Sequence, residues 1–140
     1  MLFLLLMFFL MPQPDAPVSV DNQWVRNGET GMTTAAFMEI TNNSQTADTL
    51  LSASCNLADR TEIHETYQTE NDMIGMRPAG KLVIEAGKKL ILKPRSFHIM
   101  LISLKEDLPV GKSVEIVLTF SSGKVSVVCP VKEMVMLHDM

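Results

Sequence analysis

The chain has 140 residues, 46% of them hydrophobic and 20% charged, with a formal net charge of −4 and a sequence pI near 5.3. That is one domain's worth of chain, long enough to bury a core without staples. The acidic balance excludes the basic footprint of a nucleic-acid binder and a polybasic route to anionic membranes. Eleven Met beside three His, two Cys and one Trp raise the question of whether sulfur serves as ligand or as filler.

The first eleven residues, Met1 to Met11, are uncharged and apolar and run into the Pro12–Pro17 stretch. As a helix they reach about 16 Å, roughly half of a bilayer's hydrocarbon core. Residues 1–16 therefore read as the apolar part of a secretory signal, cut around residues 12–17, with a retained hydrophobic N-terminus as the alternative. No basic residue precedes Arg26 and no Ala-x-Ala site follows the run, which points to an incomplete or misplaced start.

After Pro17 the chain reads as strand after strand. Expected strands are 18–26, 33–41, 49–55, 62–69, 73–77, 81–84, 89–92, 98–104, 113–120 and 124–131. Turn chemistry separates them at Asn27-Gly28, Asn42-Asn43-Ser44, Glu70-Asn71-Asp72, Ala86-Gly87, Lys93-Pro94, Pro109-Val110-Gly111 and Ser121-Ser122-Gly123. Val114, Ile116, Leu118 and Phe120 point one way, Glu115 and Thr119 the other. Short strands without crossover helices indicate an all-β, antiparallel Greek-key sandwich or barrel, over residues 17–132, followed by a Met/His-containing tail at 133–140.

Cys55 shares an expected strand face with Leu51 and Ala53, and Cys129 with Val125 and Val127. They form no C-x-x-C motif; a disulfide and two buried thiols are equally compatible with their placement. Enzymatic motifs are missing, with no Gly-rich phosphate loop, no G-x-S-x-G and no H-E-x-x-H, and the scattered carboxylates read as solvated charge.

The histidines are different. His98 and His138 are each followed two residues later by Met, as His98-Ile-Met100 and His138-Asp-Met140. On a strand, positions i and i+2 share a face about 6.6–7 Å apart, so an imidazole and a thioether can lean onto one ion. Soft thioether sulfur favours Cu(I), and imidazole suits copper as well. Met100 reads equally as core packing, because Ile102 shares its face. His64 faces away from Ile63 and Tyr67, and a three-residue turn at Glu70-Asn71-Asp72 pairs Thr66 with Met76. His64 is then a diagonal neighbour of Met76, about 7–8 Å away between backbones. In the tail, Met134, Met136, His138 and Met140 recur at period 2, which fits either a second sulfur-rich edge or a frayed terminus.

The spacing of His64, Met76, His98 and Met100 resembles the signature of the periplasmic copper chaperone family PCu(A)C. The likeness extends to Trp24-Val-Arg26, to Thr34 through Asn42, to Glu62-Ile-His-Glu-Thr66, to Met73-Ile-Gly-Met-Arg-Pro78, to Ile84-Glu-Ala-Gly87 and to Leu92-Lys-Pro94. It implies a cupredoxin-like sandwich holding one Cu(I) through His64, Met76, His98 and Met100, with Cu(II) held if further ligands join. It also implies a monomeric, non-enzymatic carrier in the periplasm. Its acceptor would be the copper subunit of cytochrome c oxidase or a thiol-bearing copper chaperone. Glu65 stands where some members have Met, and the two cysteines lie outside the family pattern. Copper storage without a dedicated acceptor, and a metal-free interaction module, are the competing readings. A separation of more than about 10 Å between the tips of His64 and His98 would support the module.

Overall fold

The structure, a computed structural model, describes residues 17–133; the expected export segment (1–16) and the Met134–Met140 part of the tail lie outside the described residues. The described chain is all-β, in ten strands: β1 (Val18–Arg26), β2 (Thr34–Asn42), β3 (Asp48–Ser54), β4 (Ala58–Gln68), β5 (Ile74–Pro78), β6 (Leu82–Ile84), β7 (Lys89–Leu92), β8 (Phe97–Leu104), β9 (Ser113–Phe120) and β10 (Gly123–Lys132). One layer runs β5-β4-β8-β2-β1, with β7 also pairing β2, and the other runs β10-β9-β3-β6. The fold is thus a cupredoxin-like β-sandwich. Its layers join along one side through β1 and β10, and β5 and β6 form the open edges.

The joining pair departs from the expected antiparallel pattern. Val25 faces Val131 and Arg26 faces Lys132 in a short parallel register. Every other strand pairing among the described residues is antiparallel.

The inward positions follow the period of 2 that half-buried strands require. Val114, Ile116, Leu118 and Phe120 are buried on β9, and Ala36, Met38 and Ile40 on β2. Ile99 and Leu101 close the core from β8, and Ile63 from β4. β3 differs from expectation. A bulge between Leu50 and Ser52 shifts its register against β9, so Leu50, not Leu51, shares the core with Ala53 and Cys55. An extra residue in one strand inverts the facing of all that precedes it.

Both thiols are free and buried. Cys129 faces Val114 on one edge of β9, while β3, which ends just before Cys55, pairs with the other edge. Two strand spacings separate them by about 9–10 Å, more than a disulfide spans. Burial pushes both thiols up; with Cys55 nearby, Cys129 reaches about 12.

Buried polar groups at the strand ends are well satisfied. Asn42 donates to the carbonyls of Thr46 and Ile84, each at 2.9 Å, and accepts from the Ser44 N–H and hydroxyl. Asp48 accepts from the Thr49 and Ser122 N–H groups and pairs with the Ser122 hydroxyl. Thr34 donates to the Arg26 carbonyl at 2.7 Å.

Candidate metal centre

The outer face of the β5-β4-β8-β2-β1 layer collects the remaining histidines. In the β4–β8 ladder, His64 lies directly opposite His98, and Glu62 opposite Met100. In the β4–β5 ladder, Thr66 lies opposite Met76 and His64 opposite Pro78, which makes Met76 the diagonal neighbour of His64. The hairpin register is the one the three-residue turn dictates, with Thr69 N–H bonded to the Met73 carbonyl at 2.8 Å. Met73 is exposed and precedes β5, so it stays outside this cluster.

The two imidazole centroids are 6.1 Å apart. That separation gives no support to the interaction module. Met76, His98 and Met100 line one groove of about 350 Å³, together with Phe37, Thr66 and Arg95. Met100 belongs to this outer face; its neighbours Ile99 and Leu101 take the core.

The four residues differ in exposure. His98 is only 3% exposed although it points away from the core. Phe37 stands beside it, with ring centroids 6.5 Å apart, and is itself packed against Trp24 at 4.8 Å. The His64 side chain is 15% exposed and Met76 is 59% exposed. The cluster thus grades from a buried imidazole to a solvent-facing thioether.

The turn before β8 also shapes the site. Arg95 takes φ +66°, and the Ser96 N–H bonds back to the Lys93 carbonyl at 3.1 Å. This tight reversal aims the Ser96 carbonyl at His98 Nδ1, 2.9 Å away. On β4, His64 Nε2 lies 2.7 Å from Glu62 Oε2. On the reverse face of the β4–β5 hairpin, Glu65 pairs with Arg77 at 2.6 Å, and the Arg77 guanidinium stacks over Tyr67 at 4.6 Å. Those contacts lock β5 in register and so fix where Met76 projects.

The strongest sign of a binding site is what lacks a partner. Among the described residues, the buried side-chain nitrogen and oxygen atoms without a hydrogen bond are His64 Nδ1, Thr66 Oγ1 and His98 Nε2. All three belong to this one outer face. Buried polar atoms are almost always paired, so three orphans on one face mark it as open to an external group. Among the described residues no group of three or more His, Cys, Asp or Glu is arranged to hold a metal ion, and the further donors on this face are the thioethers of Met76 and Met100. Two neutral nitrogens with thioethers form a soft donor set that fits copper and suits zinc, calcium or magnesium poorly.

A larger depression, about 790 Å³, lies on the far side of Arg26 and Thr34. Its Asp107 carboxylate is already engaged by the Thr30 N–H and hydroxyl at 2.8 and 2.9 Å. Those bonds, aided by Lys112, hold Asp107 below the usual carboxylate range. Among the described residues, none of the buried side-chain nitrogen or oxygen atoms without a partner lies in this depression.

The spacing in the sequence did not single out Glu62, Thr66, Phe37 or Trp24. Glu62 was accessible by the same i, i+2 rule that joins His98 to Met100. The aromatic packing beside His98 depends on the β1–β2 and β2–β8 pairings, which no local pattern encodes.

The LpqE-like family, described as lipoproteins, matches residues 18–131. No curated protein matches the chain. Among solved structures, CuI-DR1885 from Deinococcus radiodurans is 28% identical, with 90% of this chain and 83% of that one covered and a TM-score of 0.63. The apo PCuAC domain of PmoF1 shares the fold at 22% identity, over 84% of this chain and 95% of that one, with a TM-score of 0.71. The copper-bound PCuAC domain of PmoF2 does so at 16% identity, over 84% and 94%, with a TM-score of 0.68.

Proposed function

This chain belongs to the LpqE-like, PCuAC-like family, and from that premise we propose that it is an exported copper chaperone. It binds one Cu(I) through His64, Met76, His98 and Met100 and passes it on by ligand exchange. The observation that carries this reading is the coincidence of two orphaned imidazole nitrogens with two thioethers on one sheet face. The copper-bound state of the similar DR1885 and of the PmoF2 domain supports the choice of metal.

The exposure gradient supplies a mechanism. An incoming ligand meets Met76 first, displaces it, and works inward toward His98, so the ion is never released to water. Thioethers hold Cu(I) without a proton to lose, and imidazoles must be neutral to bind. Residues 17–132 form the carrier domain in this reading. Residues 1–16 direct export, which accords with the lipoprotein description of the family, and residues 133–140 form a tail. The protein acts as a monomer and a carrier rather than an enzyme. Its acceptor is the dinuclear copper centre of cytochrome c oxidase, directly or through a thiol-bearing chaperone.

The test is titration with Cu(I) against a competing chelator, followed by mixing with an apo oxidase copper domain. Transfer faster than spontaneous dissociation supports a chaperone; binding without transfer supports storage in its place.

A further inference from the structure

Glu62 and His64 occupy successive outward positions on β4, and Glu62 Oε2 sits 2.7 Å from His64 Nε2. An ionised carboxylate only accepts hydrogen bonds, so Nε2 carries the proton and donates it. The lone pair of His64 is then on Nδ1, which is buried and unpartnered. Across the ladder the arrangement is reversed. His98 Nδ1 donates to the Ser96 carbonyl at 2.9 Å, and its Nε2 is the buried, unpartnered atom. Arg60 approaches the other Glu62 oxygen, Oε1, at 3.8 Å, so it does not compete for the histidine bond.

We propose that Glu62 is a positioning residue for metal uptake: it fixes the tautomer of His64 so that His64 binds through Nδ1 while His98 binds through Nε2. The proposal rests on the copper reading above and deepens it. A metal about 2 Å from one nitrogen of each ring fits between centroids 6.1 Å apart. The Glu62 carboxylate also offsets the positive charge that the ion draws onto the imidazole, the usual effect of an outer carboxylate on a ligating histidine. The Ser96 carbonyl serves His98 in the same way, but as a neutral acceptor. The two imidazoles are therefore unequal ligands, and the one beside the carboxylate is also the more exposed.

The experiment uses ¹⁵N-labelled protein and long-range proton–nitrogen correlation of the imidazoles, at a pH where both are neutral, before and after adding Cu(I). Without copper, His64 should show a protonated Nε2 and His98 a protonated Nδ1. Cu(I) should then move the signals of His64 Nδ1 and His98 Nε2. Glu62→Ala should leave His98 unchanged, mix the His64 tautomers and weaken Cu(I) binding by about 10–100-fold. Coordination through His64 Nε2 in the wild type would overturn the proposal and leave the copper reading standing. So would a Glu62→Ala protein with an unmixed His64 tautomer. If Cu(I) moves neither imidazole, the copper reading fails and this proposal falls with it.

Discussion

His64 and His98 face each other across the β4–β8 ladder with their ring centroids 6.1 Å apart, and each keeps one nitrogen buried without a partner. The thioethers of Met76 and Met100 belong to the same face, one from a solvent-exposed hairpin and one from the strand that carries His98. This pairing of fixed imidazoles with a more accessible sulfur governs the behaviour expected of the protein.

Met76 is 59% exposed and belongs neither to the core cluster nor to the hydrophobics packed against it. Met76→Leu keeps its size and should change stability by less than about 0.5 kcal/mol, the usual range for surface sites. It removes a soft donor, so Cu(I) affinity should fall by more than the 10–100-fold typical of losing an outer-shell partner. Chelator competition and thermal melting, run on the same preparation, separate the two effects.

Gly75 lies opposite Tyr67 in the β4–β5 ladder, and a Cβ there would come within 2.6 Å of the tyrosine ring. In Gly75→Ala the ring must swing away and surrender its stack with Arg77, at a cost of about 0.5–1 kcal/mol. Tyr67 ring shifts should report the movement. Copper affinity should drop less than in Met76→Leu, because the sulfur is retained and only its placement loosens.

The chain order made much of this geometry legible. Alternation on β9 named its inward residues, and a three-residue turn was enough to set Thr66 against Met76. The facing of His64 follows from Ile63 and Tyr67. What escaped was non-local or a single-residue irregularity. The bulge beside Leu51 reverses the facing of the first half of β3, and one inserted residue leaves no hydrophobic signature. The parallel Val25–Val131 pairing joins strands more than a hundred positions apart. The 3% exposure of the outward-facing His98 ring goes with a neighbouring Phe37 on another strand, itself packed on Trp24. By its own type Glu62 reads as a solvated carboxylate, since its value lies in a partner.

The thiols give a pH prediction. Cys129 is pushed up to about 12 by burial and then by Cys55. Its proton is held more tightly in the folded state than in the unfolded one, where an ordinary thiol titrates near 8.5. The resulting stabilisation is complete below that unfolded value and is lost as pH rises through the folded one. Unfolding midpoints should therefore decline between about pH 9 and 12, and the decline should be shallower in Cys129→Val. In the native protein near neutral pH neither thiol should react with an alkylating reagent, whereas both should react on unfolding.

The central claim is that the orphaned imidazoles and thioethers of the outer face hold copper, and the most direct measurement is Cu(I) affinity under a competing chelator. Wild-type protein is compared with the double variant His98→Ala, Met100→Ala, and the fold is checked by far-ultraviolet circular dichroism. Both residues project from the outer face of β8, so the sandwich should persist while tight binding of one Cu(I) disappears. An unchanged Cu(I) affinity in a folded double variant would contradict the assignment.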